Sequence, residues 1–233
     1  MGLNIAVFVP EGIVLTSDSL AFLRQEDEGF MASSKRTFTV WGRFLISFVG
    51  NGFISGKPYG CFVQEIENRL INLEKSSVEE FGNQINNYLK QYQKKDEEPI
   101  IVYVAGSSVT DLGLYNELFL IEQDKISKLN QPNGQEEVYN YHLIGRGLWS
   151  NKLLLPTTFE DNHSDTKELF EAARIDFSKY SLEEAVNFSQ FLIRTTADMD
   201  KFIQKRASVD LKITTCVVTS RGAKEVSNKT NNQ

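Results

Sequence analysis

Cysteine and histidine are scarce in this sequence, and their scarcity excludes several kinds of site. The two cysteines, Cys61 and Cys216, cannot build the disulfide framework of a small secreted protein. Each lies in an apolar periodic stretch, so we expect both thiols to be reduced and buried. The two histidines, His142 and His163, have no carboxylate or cysteine cluster at ligand spacing near them. We therefore expect neither a metal ion nor a cofactor.

The chain also lacks an excess of basic residues and a long apolar run. Its formal net charge of −6 leaves no positive stripe for nucleic acid, so we expect no nucleic-acid partner. The longest nearly uncharged apolar runs, such as 100–105, are far too short to cross a bilayer, so we expect no membrane partner. The opening residues lack the basic segment of a signal peptide, and Asp18 interrupts their apolar stretch. These features predict a cytoplasmic protein.

What the sequence does contain is the composition of one soluble globular domain. Hydrophobic residues make up 41% of the 233 positions and charged residues 24%, which is ordinary for a packed core with a solvated surface. The length favours a single domain over 1–233, and the polar segment 227–233 is predicted to be a frayed tail. We find no repeat, low-complexity tract or linker.

Apolar periodicity and turn residues predict strands and helices that come in blocks. Two strands at 3–9 and 13–19 are joined by the turn Pro10-Glu11-Gly12, and the charged segment 25–29 is predicted to be a loop. Further strands are predicted at 37–40, 44–49, 100–106, 115–122, 125–129, 139–145, 211–218 and 223–226. Helices are predicted at 59–73, from the capping box that Ser77 opens, at 164–173, and from the capping box that Ser181 opens towards Phe202. Such blocks favour antiparallel sheets over alternating βαβ units.

Five segments resemble proteasome-type N-terminal-nucleophile hydrolases, in the family's order and across nearly the whole chain. The first is Gly12–Ser19, which is similar to the family's second strand, G-V-V-L-A-A-D-S. The others are Ala32–Phe38 with its basic pair, Ile46–Gly52 in place of an A-G-G turn, Gly145–Gly147 in place of a G-S-G turn, and Phe191–Asp198 at the end of the fourth helix. The resemblance implies an α+β fold, the four-layer αββα sandwich, in which two sheets lie between outer helices.

In this family the first residue of the mature chain is a threonine that attacks the peptide carbonyl with its own α-amine as base. A lysine paired with the second-strand aspartate lowers the pKa of that amine, and a glycine N–H forms the oxyanion hole. Residue by residue, Gly2 takes the nucleophile position once Met1 is removed. Asp18 takes the aspartate position and Gly50 the oxyanion position. Arg36 takes the lysine position, with Lys35 one register slip away.

A serine and a second aspartate orient the amine in the family, and Asp198 and Ser208 match those two positions. Arg146 replaces the serine of the G-S-G turn. Gly2 has no hydroxyl, and the guanidinium of Arg36 stays protonated and cannot shuttle a proton. Processing at Thr16 or Ser17 would delete the first strand. The resemblance therefore implies a remnant site without its nucleophile.

Structural roles explain several of the same residues equally well. Asp18 and Arg36 would also serve as a buried ion pair of the scaffold, and Gly50 as a turn residue. Arg146 is expected at the surface or in an interface. These alternatives stay open on sequence alone.

The leading hypothesis is a catalytically silent, proteasome-like subunit that acts as a structural or assembly component of a proteolytic-type ring. The implied partners are further copies in rings or stacked rings, an active paralogue, or an ATP-dependent unfoldase. One alternative is an active N-terminal hydrolase or threonine-type peptidase with a different hydroxyl, such as Ser19 or Ser34, in the cleft. Another is a stand-alone binding module on the same fold.

Overall fold

The computed structural model describes residues 2–25, 28–50, 52–92, 100–110, 113–122, 125–131, 137–145, 157–159, 168–170, 175–204 and 209–226. The strands are β1 (Leu3–Val9), β2 (Gly12–Ser17), β3 (Leu20–Gln25), β4 (Glu28–Ser33), β5 (Thr37–Val40), β6 (Phe44–Val49), β7 (Phe53–Ile54), β8 (Lys57–Pro58), β9 (Ile101–Thr110), β10 (Gly113–Glu122), β11 (Lys125–Lys128), β12 (Asn140–Gly145), β13 (Thr157–Phe159), β14 (Glu168–Phe170), β15 (Thr214–Thr219) and β16 (Gly222–Val226). The α-helices are α1 (Tyr59–Arg69), α2 (Val78–Lys90) and α3 (Leu182–Gln204).

Two five-stranded antiparallel sheets form the body of the protein. The first has the strand order β12-β1-β2-β15-β16 and the second β11-β10-β9-β6-β5. All seven residues of β1 and all six of β2 are buried, because both faces of the first sheet are covered. This is why the two strands are apolar almost throughout and not alternately polar.

Alternate side chains of β1 belong to different parts of the core. Leu3, Ile5 and Val7 pack in a cluster with residues of α3. Ala6 and Phe8 pack in a second cluster with residues of the other five-stranded sheet. This separation follows from the two-residue side-chain period of a strand. The second sheet has its own outer cluster, where Phe81 of α2 stacks on Phe44 with ring centroids 4.3 Å apart.

The predicted four-layer αββα sandwich is wrong. In the described residues the chain is mostly antiparallel strand, with three α-helices and two-stranded sheets β3–β4, β7–β8 and β13–β14 beside the two larger sheets. The helix predicted at 164–173 is contradicted by β14, which pairs with β13. Residues 168–170 are thus held by strand pairing with 157–159, which overrides their local helical pattern, and the rest of 164–173 lies outside the described residues. Among the described residues, α3 is the one α-helix that packs on the first sheet.

Other local predictions differ in their bounds. Within the segment 25–29, which was predicted to be a loop, Gln25 pairs with Glu28 and Gly29 pairs with Arg24 in the ladder between β3 and β4, and 26–27 lie outside the described residues. The first helix ends at Arg69, and 71–75 is a 3₁₀ turn. Both capping boxes are confirmed: Ser77 accepts a hydrogen bond from the Glu80 N–H at 3.1 Å, and Ser181 accepts one from the Glu184 N–H at 3.3 Å.

The two cysteines differ in their surroundings. Cys61 is exposed on α1, so the prediction that it is buried is wrong. Its position falls on the outer side of the helix, a distinction that the short apolar stretch around it does not reveal. Cys216 is buried in β15, and burial raises the pKa of its thiol to about 12. That thiol is therefore protonated and unreactive at neutral pH.

Across the described residues, no helix combines the length and the apolar character needed to cross a membrane.

Candidate functional site

Gly2 directly precedes β1. It lies beside Asp18, which belongs to the short segment that joins β2 to β3. The antiparallel register of β1 and β2 pairs Asn4 with Ser17, which brings Asp18 alongside residues 2 and 3. The Asp18 N–H donates to the Leu3 carbonyl at 3.2 Å, which extends the ladder by one step. The opening hairpin thus places an aspartate beside the N-terminus through backbone pairing alone.

The Asp18 carboxylate is held by three backbone N–H groups. Leu3 donates to Oδ1 at 2.8 Å, and Leu20 and Asp210 donate to Oδ2 at 3.2 and 3.1 Å. The residue is 1% exposed. Burial raises the pKa of Asp18 above its usual value, and the charge of Arg36 and the three N–H groups offset part of that increase. The carboxylate therefore ties together three separate chain segments.

Arg36 is the largest fully buried side chain of the described residues. Its Nη1 donates to the Gly50 carbonyl at 2.6 Å, and its Nη2 donates to the Leu20 carbonyl. Its Nε is buried without a hydrogen-bond partner. A guanidinium cannot be neutralised at ordinary pH, so its charge is balanced here by backbone carbonyls and by the nearby Asp18.

The space beside Gly2 is filled by these two charged side chains. A Cβ built on Gly2 would lie 2.1 Å from Asp18 Oδ1, 2.6 Å from Arg36 Cζ and 2.7 Å from Arg36 Nη1. The backbone of Gly2 is also packed closely, since a Cβ on Gly145 of β12 would lie 1.9 Å from the Gly2 carbonyl oxygen. Gly145 has a φ of +121°, which only glycine adopts readily. The site has no room for a side chain at position 2.

Gly50 joins the site through its carbonyl, which accepts the bond from Arg36. Its φ is +140°, and a Cβ there would lie 2.7 Å from the hydroxyl oxygen of Tyr59. Both observations account for glycine at this position by the turn and the close approach of Tyr59.

The remaining predicted residues are not brought to Gly2 in the described part of the chain. Asp198 lies on the exposed side of α3, with a side chain 60% exposed and Oδ1 3.8 Å from Lys201 Nζ. Arg146 and Ser208 lie outside the described residues. The structure therefore assembles Gly2, Asp18, Arg36 and Gly50 into one cluster.

Asp210 belongs to this cluster, and the sequence reasoning missed it. Its N–H donates to Asp18, and its Oδ2 accepts a hydrogen bond from Ser19 Oγ at 2.8 Å. A signal was present: a lone acidic residue shortly before a buried strand, two positions after Ser208. That signal could not show that the segment before β15 returns to Asp18.

A chain of buried polar side chains continues inward from the site. Asn4 Nδ2 donates to Ser47 Oγ at 2.7 Å, Ser47 and Thr37 share a bond of 2.7 Å, and Thr37 donates to Ser17 Oγ at 2.8 Å. All four residues are buried and belong to β1, β2, β5 and β6. The chain therefore bonds the first sheet to the second next to Asp18 and Arg36.

The alternative nucleophiles are engaged in other bonds. Ser34 Oγ donates to the Gly52 carbonyl at 3.0 Å, an acceptor that cannot take up a proton. Ser19 Oγ donates to the Asp210 carboxylate and accepts from Ser33 Oγ at 3.1 Å. The histidine of the described residues, His142, is bonded through Nδ1 to the Tyr103 hydroxyl at 2.7 Å. This nitrogen is therefore already hydrogen-bonded to Tyr103 and not to either of the alternative serine nucleophiles.

Within the described ranges, no group of three or more His, Cys, Asp or Glu side chains has the geometry to hold a metal ion. No protein-family model matches this chain, and no curated protein matches it. The resemblance to proteasome-type hydrolases therefore rests on the five sequence segments alone.

Proposed function

We propose that this chain is a catalytically silent subunit, an assembly component of a proteolytic-type ring, in which the Gly2 cluster holds the scaffold together. The observation that carries the proposal is the filled space beside Gly2. Asp18 Oδ1 and the Arg36 guanidinium occupy the volume into which a nucleophilic side chain of residue 2 would project. A site that had lost only its hydroxyl would leave that volume open.

The chemistry of the cluster agrees with a structural role. Arg36 cannot accept a proton, and both of its terminal nitrogens are used by backbone carbonyls. Asp18 is used by three backbone N–H groups from separate segments. These contacts stabilise the junction of β1, β2 and β5. Because the contacts use the carboxylate of Asp18 and the terminal nitrogens of Arg36, neither side chain presents a base to an incoming peptide.

The ring context comes from the sequence resemblance alone. The partners that it implies are further copies of the chain, a paralogue that retains the threonine, or an ATP-dependent unfoldase. Ser19 with Asp210 remains the hydroxyl–carboxylate pair on which an active alternative would depend.

The test is covalent labelling of the purified chain with a β-lactone probe, read by intact-mass spectrometry. We expect the unmodified mass, because no hydroxyl or amine nucleophile is activated at Gly2. Hydrolysis of fluorogenic peptides should equal that of buffer, with an active threonine peptidase as the positive control. An adduct on any serine or threonine would overturn the proposal, and mapping it to Ser19 would favour the active alternative.

A further inference from the structure

The outer side of α3 carries two phenylalanines that the fold leaves in solvent. Phe191 is 55% exposed and Phe202 is 84% exposed. The opposite side of the helix is packed on the first sheet through buried residues such as Leu192, Ile193 and Ala197. A helix of 23 residues with a satisfied inner face thus has a second apolar feature that its own chain does not bury.

The two phenylalanines lie on one line along the helix. Eleven residues separate them, so at 3.6 residues per turn they differ by about 20° in direction and about 16 Å along the axis. Asp198 lies about 20° from the direction of Phe191 and about 40° from that of Phe202, and Arg194 lies about 60° from Phe191 on the same side. Both charged residues are exposed. We call Phe191, Arg194, Asp198 and Phe202 the α3 stripe.

The residue types of the α3 stripe occur in nearly the same order and spacing from either end of the helix. Its phenylalanines are the outer pair and its opposite charges the inner pair. Both pairs are centred at Thr196–Ala197 to within half a residue. A two-fold axis through that point would bring each Phe191 to the Phe202 of a second helix and each Arg194 to the second Asp198. Such a self-complementary surface is what a symmetric dimer requires.

The charges of the stripe are weakly engaged within the chain. Arg194 donates to Gln190 Oε1 at 3.2 Å, and Asp198 is 3.8 Å from Lys201. Across a two-fold axis they would form two equivalent arginine–carboxylate pairs, which are directional and frequently bidentate. A parallel pairing of the helices would instead place like charges together, so the charge order selects the antiparallel arrangement.

We propose that α3 is an antiparallel dimer interface, and that its occupant is α3 of a second copy of this chain. Phe191 fills the space beside the second Phe202, and Arg194 pairs with the second Asp198, each contact occurring twice. The inference does not depend on whether the Gly2 site is silent.

The first experiment is sedimentation velocity of the full chain over a range of concentrations. We expect a species of twice the 26.5 kDa chain mass that dissociates on dilution. A particle that remains at 26.5 kDa up to the solubility limit would overturn the proposal.

Charge reversal identifies the surface. Arg194→Asp and Asp198→Arg should each weaken the dimer by roughly 100-fold, because each places two like-charge pairs in the interface. Mixed in equal amounts, the two variants should associate with each other, and the double variant R194D/D198R should dimerise alone. Association that survives both single reversals would assign self-association to another surface. A mixture of the two variants that stays monomeric would show that Arg194 and Asp198 do not pair across the interface. Either result would overturn the proposal.

Removal of the Phe202 side chain tests the apolar part of the interface, and an exposed isoleucine elsewhere in the chain supplies the control. Phe202→Ser should abolish the dimer, whereas Ile71→Ser, at a 58% exposed position far from α3 in sequence, should leave it unchanged. Circular dichroism of each variant checks that the fold is retained, and exposed positions make that outcome expected. Equal loss of dimer in both variants would count against a specific α3 contact.

Discussion

At the scale of single residues, the missing side chain of Gly2 has a positive structural use. The Asp18 carboxylate reaches the Leu3 N–H at 2.8 Å through the space that a Cβ would take. Arg36 approaches from the other side while bonded to the carbonyls of Gly50 and Leu20. The glycine therefore permits a close junction of charges that a threonine would exclude.

The expected consequence is that Gly2→Ala and Gly2→Thr both destabilise the fold. A Cβ 2.1 Å from Asp18 Oδ1 must displace the N-terminus or the carboxylate, which breaks the bond to Leu3. Overpacking of this kind costs about 1–3 kcal/mol of the free energy of unfolding, more for threonine than for alanine. Urea denaturation measures it, and the peptide assay should show no gained hydrolysis for Gly2→Thr.

The matched control is Gly60→Ala in α1. A Cβ at Gly60 would lie 3.7 Å from Phe38 Cε1, an ordinary contact, and alanine has the higher helix propensity. We expect no loss of stability and a gain of up to about 1 kcal/mol. Unchanged stability in Gly2→Ala, or peptide hydrolysis by Gly2→Thr, would contradict a structural cluster.

At the scale of elements, the sequence correctly predicted those helix starts and turns that are stabilised by contacts between near neighbours in the chain. Each capping box closes within four residues, so Ser77 and Ser181 revealed two helix starts directly. The β1–β2 hairpin was equally readable from its turn. Residues 168–170 were misread as helix because the pairing of β14 with β13 outweighs the local apolar period on which that prediction rested.

Removal of the cap of α2 tests this local origin. In Ser77→Ala the Glu80 N–H loses its acceptor, which lies 3.1 Å away. We expect a loss of about 1 kcal/mol in the free energy of unfolding. Ser77→Asp keeps an acceptor and should remain within a few tenths of a kcal/mol of the original chain. Equal destabilisation by both substitutions would mean that the hydroxyl acts in some other way.

At the scale of the whole molecule, several polar links, among them the two described next, bond the five-stranded sheets to each other. One is the chain from Asn4 through Ser47 and Thr37 to Ser17. The other joins His142 of β12 to Tyr103 of β9 at 2.7 Å. Burial lowers the pKa of His142 below its usual value, since the charged imidazolium loses hydration between the sheets.

This shift makes stability depend on pH with a definite sign. The unfolded chain takes up a proton on His142 at a pH near 6.5, whereas the folded chain does so only at lower pH. Between those two values the unfolded state binds more protons, so the free energy of unfolding falls as the pH falls through that window. His142→Gln should flatten this part of the profile, measured by urea denaturation from about pH 7 to 5.

The control for the same link is Tyr103→Phe. It removes the hydroxyl but leaves the imidazole, so we expect a loss of about 1 kcal/mol at pH 7 for a half-buried nitrogen without its partner. The pH dependence should be retained. A wild-type profile that is flat below pH 6.5, or identical to that of His142→Gln, would show that His142 does not couple the sheets to pH.

The amino-acid sequence by itself determined the local framework: the opening hairpin, most strand positions, the capped helix starts, and the pairing of Asp18 with residue 3 that follows from the hairpin register. These depend on contacts between near neighbours in the chain, which leave a pattern in any short window. Only the tertiary structure decided that the Arg36 guanidinium packs beside Gly2 and that Asp210 reaches Asp18, while Asp198 faces solvent on α3. Such convergence is set by how distant elements pack, and a packing arrangement leaves no period in the sequence.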